Sequence, residues 1–278
     1  MNTTIKPTTT LRFFTLSLFL SLPLLLLFLT LRRPSPTTTA TATITAATAT
    51  AGIRIRPGYT SYSSYINHQL NKTLNPKLRR IWTTRDWDRK IRVFAAFFSS
   101  LKSAGLLSNS SSCLCIGARV GQEVAALRQL GVANSVGIDL VPSPPLVIHG
   151  DFHHQPFDDE TFDFEFSNVF DHALYPEKFV GEIERTLKPG GVAVLHVAIS
   201  RRSDKYSAND LFSVDPLVKL FKGSELVRVR KVDGFGLDTE GGRAALSSSK
   251  VPLDVSTMKY RPRGNIVRYG SPLALFTI

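Results

Sequence analysis

Two glycines and two carboxylates carry the most readable chemistry in this chain of 278 residues. Gly117 and Gly121 bracket the turn G-A-R-V-G after the apolar run Ser112 to Ile116. Asp139 stands near the end of the run Ser135 to Leu140, and Asp151 follows Leu146 to His149 and Gly150. Asp139 lies about twenty residues beyond the glycines, the separation expected of an acid that accepts from both hydroxyls of a ribose. Asp151 can accept from the exocyclic amine of an adenine, and Phe152 would lie against that base. The glycines let a ligand approach the backbone closely, and the helix start after Gly121 offers N–H groups to a carboxylate or phosphate. Together these residues describe a nucleoside site.

Such residues meet only if each ends a strand of one parallel sheet, because ligands bind beyond the carboxyl ends of those strands. The first unit reads as a strand, a glycine turn and a helix over Gln122 to Leu130, closed by Gly131 at its C′ position. F-D-F-E-F-S-N, Phe162 to Asn168, alternates apolar and acidic residues, a pattern of one wet face. A central place in the sheet instead buries Glu165 and requires a partner for it. Pro176 opens a helix with Phe179, Val180, Ile183 and Leu187 on one face, and Gly190 and Gly191 stop it. V-A-V-L-H-V-A then reads as a strand covered on both sides, with His196 a packed core residue.

In this order, C-I-G-A-R-V-G, G-I-D-L, H-G-D-F-H-H-Q-P-F and L-K-P-G-G resemble the class I S-adenosylmethionine-dependent methyltransferases, most nearly the branch called methyltransferase type 11. The resemblance covers roughly residues 86 to 240 and is strongest over Pro156 to Leu195. It extends to a mostly membrane-anchored plant group. It implies an α/β, Rossmann-like sheet with helices on both faces, S-adenosyl-L-methionine as cofactor and transfer of its methyl group to an acceptor. Gly117, Ala118, Arg119 and Gly121 would then hold the methionine part, Asp139 with Leu140 the ribose, and Asp151 with Phe152 the adenine. Asn168 would end the fourth strand beside the ligand. Asp171, His172 and His153 stand near strand ends and are the candidates for a catalytic base. Arg79, Arg80, Trp82 and Trp87 either cover the pocket or pack.

Two positions depart from the family: Cys115 replaces its usual Asp or Glu, and Arg119 its usual Gly. A thiol cannot face an ammonium group as a carboxylate does, so that contact is absent or supplied elsewhere. Arg119 either faces the methionine carboxylate or points into solvent. A cofactor-binding or scaffold protein without catalysis is therefore an alternative. A dinucleotide oxidoreductase is another, although the turn lacks G-x-G-x-x-G. The methyl acceptor is open among a luminal glycan, a lipid-like small molecule and a protein side chain.

Charge is segregated along the chain. Residues 1–85 hold 11 basic residues and no acid, residues 86–240 carry a net −4, and residues 241–278 carry +5. The basic charge thus lies outside the expected catalytic core, so a nucleic-acid partner is not expected. Cys113 and Cys115, the only cysteines, share one face of a strand and read as two buried thiols. No spacing suggests a metal site.

Residues 13–31 form an uncharged apolar run of nineteen residues, long enough for a transmembrane helix at about 1.5 Å per residue against a bilayer core of roughly 30 Å. Residues 1–12 precede this anchor, 32–57 read as a Ser/Thr/Ala-rich stalk, and 58–112 as a pre-domain segment with a leading helix from Asp86. The methyltransferase domain is expected over 113–240, followed by an atypical tail, 241–278. Flanking charges favour a luminal catalytic domain in the Golgi or another endomembrane, where the triplets at Asn71 and Asn109 become glycosylation acceptors. Organelle targeting or secretion after cleavage near Ala40 to Ala42 is the alternative. Glu225 to Val232 suits a sixth strand. The seventh is missing from its expected place, leaving Pro272 to Ile278 as the substitute.

Overall fold

The computed structural model describes residues 52–199, 205–232 and 253–260. Every described residue belongs to one compact unit. No helix among the described residues is long and apolar enough to cross a membrane. The run 13–31 and the substitute strand 272–278 lie outside them.

The amino-terminal side contributes a short strand β1 (Ile53–Ile55) and helices α1 (Tyr62–Thr73), α2 (Pro76–Thr83) and α3 (Trp87–Ser103). Local chemistry sets their starts. Ser61 and Ser64 form a capping box for α1, while Asn75 Oδ1 accepts from the N–H groups of Lys77 and Leu78 with Pro76 opening α2. The core follows as β2 (Cys113–Ile116), α4 (Gln122–Gln129), β3 (Ser135–Asp139), β4 (Val147–His149) and β5 (Phe162–Ser167). A 3₁₀ turn, Phe170–His172, leads to α5 (Pro176–Thr186), β6 (Leu187–Ala198), β7 (Asn209–Leu211), α6 (Val214–Leu220), β8 (Ser224–Val232) and β9 (Leu253–Tyr260).

Among the described residues seven strands form one sheet in the order β4-β3-β2-β5-β6-β9-β8. The first five are mutually parallel, and β9 runs antiparallel to both neighbours. The seventh strand is therefore present, at Leu253–Tyr260, within the stretch read as an atypical tail. The stalk reading also shifts, because Ile53–Ile55 pairs antiparallel with β7 as a separate ribbon. Asp210 lies buried in that ribbon and accepts from Arg54 at 2.7 Å and from Arg56 at 2.8 Å.

Strand parity divides the core. Leu114, Ile116 and Ile138 pack with Phe179, Ile183 and Leu217 on one face, while Cys113, Cys115, Phe164 and Phe166 pack with Phe94, Phe98 and Leu127 on the other. Helices thus cover both faces, as a largely parallel sheet requires. The leading helix buries Lys90, Phe94, Phe97, Phe98 and Leu101. Gly131, at φ 84°, closes α4 as expected. The stop after α5 differs, since the helix ends at Thr186 and Leu187 already pairs with Phe162, so β6 begins before Gly190 and Gly191.

Candidate active site

The turn after β2 is fastened to the end of β3. Gly117 N–H and Ala118 N–H both donate to the Ile138 carbonyl, at 2.9 and 3.0 Å, and Arg119 N–H donates to Asp139 Oδ2 at 3.0 Å. Gly150 N–H donates to the Asp139 carbonyl at 3.0 Å, which brings Asp151 alongside. Val169 packs against Gly117, whose φ is 72°. A Cβ there would stand 2.4 Å from Val169 Cγ2, and one on Gly121 would stand 2.6 Å from Leu146 Cβ. Both glycines are thus demanded by packing within the protein. Gly117, Ala118, Arg119, Gly121, Asp139, Leu140, Asp151, Phe152 and Asn168 consequently share one edge of the sheet, the carboxyl ends of β2, β3, β4 and β5.

Asp139 Oδ1 accepts from Val141 N–H at 3.2 Å. Burial raises its pKa, while the amides of Val141 and Arg119 only partly offset that effect. Asp151 behaves oppositely. Burial pushes it up, but donors on His153 and Tyr62 outweigh that cost and hold it below the usual carboxylate range.

Tyr62 was not anticipated. Its hydroxyl, on α1, donates to Asp151 Oδ2 and lies 2.9 Å from His153 Nδ1. Tyr175 N–H donates to His153 Nε2 at 3.2 Å, which places the ring proton on Nδ1. His153 is therefore occupied on both nitrogens and acts as a support for Asp151. Tyr62 also stacks on Tyr175 at 5.7 Å. Phe152 meets Phe179 edge-on at 5.2 Å.

Asp171 and His172 stand on the 3₁₀ turn. Asp171 accepts from the Ser207 hydroxyl, and its carbonyl accepts from Ala208 N–H at 2.7 Å. His172 Nδ1 donates to Gln69 Oε1 at 3.0 Å, and its Nε2 lies 3.4 Å from Lys72 Nζ. Gln69 and Lys72 belong to α1, so that helix fixes the tautomer in which Nδ1 carries the proton and Nε2 accepts from the Lys72 ammonium. The pairing joins residues more than a hundred positions apart, and no local sequence signal announces it.

Arg119 does not point into solvent. Its guanidinium lies 5.2 Å from the centroid of Trp82, and its backbone adopts φ 51°, which suits the glycine of the family. Trp82 is fully buried, and its carbonyl accepts from Gln122 Nε2 at 2.9 Å, so α2 seals the start of α4. Cys113 and Cys115 are free, buried thiols. Burial raises Cys113 to about 12 and drives Cys115 well above its ordinary value. Among the described residues no group of three or more metal-ligating side chains assembles.

Residues 114–195 match a family model described as a methyltransferase domain. A stretch of 46 residues is 50% identical to the sterol 24-C-methyltransferase erg6 of Schizosaccharomyces pombe, covering 16% of this chain and 12% of that enzyme. The chain is also similar in structure to a 1,6-didemethyltoxoflavin-N1-methyltransferase of Burkholderia thailandensis solved with S-adenosylhomocysteine. That likeness has a TM-score of 0.53 and 14% identity, over 75% of this chain and 95% of the other. A Haloferax volcanii methyltransferase in complex with its Trm112 activator gives a TM-score of 0.50 and 19% identity, over 67% and 97% of the two chains. These likenesses establish a Rossmann-like α/β fold, on which residues 114–195 match the methyltransferase-domain model.

Proposed function

We propose that this chain is an S-adenosylmethionine-dependent methyltransferase acting on an acceptor of unassigned class. The observation that carries the reading is the convergence of the Gly117 turn, Asp139 and Asp151 on one edge of the sheet, tied together by the bonds from Arg119 and Gly150 to Asp139. The residues fit the cofactor. Each Asp139 oxygen accepts one backbone N–H and keeps a lone pair for a ribose hydroxyl. Asp151 and Phe152 offer an acceptor and a ring for an adenine, and Arg119 offers a fixed positive charge for a carboxylate.

When bound, S-adenosylmethionine supplies an electrophilic methyl group on a sulfonium. An acceptor O–H or N–H taking that methyl group would give up its proton. His172 is the candidate to receive that proton, with Gln69 holding its Nδ1–H and Lys72, the donor to Nε2, giving way as the proton arrives. Asp171 is committed to Ser207 and His153 to Tyr62 and Tyr175. Alignment of donor and acceptor lowers the barrier by several kcal/mol.

Calorimetric titration of the full chain with S-adenosylhomocysteine and with NADH tests this reading. Binding of the first alone, lost in Asp139→Ala, is expected. Binding of NADH alone would falsify it, and binding of neither leaves a scaffold without cofactor.

The membrane assignment belongs to the same proposal. The apolar run 13–31 anchors the chain with residues 52–260 in the lumen. Asn109 and Asn71 are exposed, as glycan attachment requires. Resistance to alkaline carbonate extraction, and a mobility shift on deglycosylation that Asn71→Gln with Asn109→Gln abolishes, are expected. A carbonate-soluble chain would refute the anchor.

A further inference from the structure

Glu123 stands in the first turn of α4, two residues beyond Gly121, and is 2% exposed. Neither of its carboxylate oxygens has a hydrogen-bond partner on any other described residue. A buried carboxylate in that condition is costly, and folded proteins retain such groups where something outside the chain completes them. Burial raises its pKa. Arg119, Lys90 and its own backbone amide offset this in part, and Asp139 is within electrostatic reach. Glu123 also lies within electrostatic reach of the Cys115 thiol, at the strand end before the turn. One anion, Glu123, and one cation, Arg119, therefore flank the same glycine turn. A zwitterionic amino acid presents the complementary pair.

On this basis, and resting on the function proposed above, we propose that the Glu123 carboxylate receives the α-ammonium group of the cofactor's amino-acid end. The charge that Cys115 lacks is then supplied from the first turn of the next helix rather than from the strand. A purely structural role, balancing the neighbouring Lys90, is the competing explanation, and the two differ in what they do to ligands with and without an ammonium group.

The test compares S-adenosylhomocysteine with 5′-methylthioadenosine, which keeps the nucleoside and thioether but lacks the amino-acid end, on full-length wild-type and Glu123→Gln chains by calorimetry. The expected result is at least a tenfold loss of S-adenosylhomocysteine affinity, with 5′-methylthioadenosine affinity unchanged within about threefold, as for a lost charge-assisted hydrogen bond. Equal loss of both ligands, or loss of neither, overturns the inference. If Glu123→Gln does not fold, the wild-type chain decides with decarboxylated S-adenosylhomocysteine, which keeps the amine. It should bind at least tenfold tighter than 5′-methylthioadenosine, and equal affinity overturns the inference. Failure of wild type to bind any of these ligands removes the proposed function itself. Normal binding with no effect at Glu123 removes only this assignment.

Discussion

Glu165 sits on the central strand β5 with its carboxyl enclosed, and Thr186 Oγ1 donates to Oε1 at 2.6 Å. Burial raises its pKa well above the ordinary 4.5, so the folded state prefers the protonated acid. Full stability from this group exists below pH 4.5, and it is lost as pH climbs toward the raised value. Glu165→Gln should accordingly raise the melting temperature at pH 8, and the gain should vanish near pH 4. A lower melting temperature at pH 8 would contradict this account. His196 works with the opposite sign. Burial depresses it to about 3, so its contribution is present above 6.5 and lost as pH falls toward 3. The conflict at Glu165 was legible in F-D-F-E-F-S-N, because alternation argued for one wet face while position argued for none. The resolution was not, since Thr186 is on another element. Glu123 was hidden for a related reason: an acid in a first helical turn ordinarily reads as a partner of the helix dipole.

At the scale of elements, the parallel units from β2 to β6 were readable because glycines, prolines and apolar runs mark their ends locally. The segment before Asp86 was not. Its helices begin at Ser and Asn caps, but what they do depends on distant partners: Tyr62 with Asp151, Gln69 with His172, Trp82 with Arg119. The β1–β7 ribbon belongs to the same category. Arg54 and Arg56, two apart on one strand, share a face and both reach the fully buried carboxylate of Asp210. Asp210→Ala removes the common acceptor and should cost about 2 kcal/mol in urea unfolding, whereas Arg54→Ala, at a mostly exposed side chain, should cost under about 1 kcal/mol. Equal costs would show that the clamp is not shared through Asp210.

The whole molecule depends on a strand that sequence order disguises. Motif order leads to a seventh strand soon after Glu225 to Val232, and the residues there do not read as one. L-D-V-S-T-M-K-Y lacks a continuous apolar run, so nothing local distinguishes it from a surface segment. Its position in the sheet is decided by pairing with both β6 and β8. Antiparallel insertion at this point also separates the architecture from an all-parallel dinucleotide fold. There is a consequence for biosynthesis. β8 leaves the ribosome before β9 exists, and the two strands that will flank β9 do not bond to each other. Until Tyr260 clears the exit tunnel, the nascent chain carries two ladders of unanswered amide and carbonyl groups. The growing polypeptide is thus most vulnerable to association with other chains in the interval between the synthesis of β8 and that of β9.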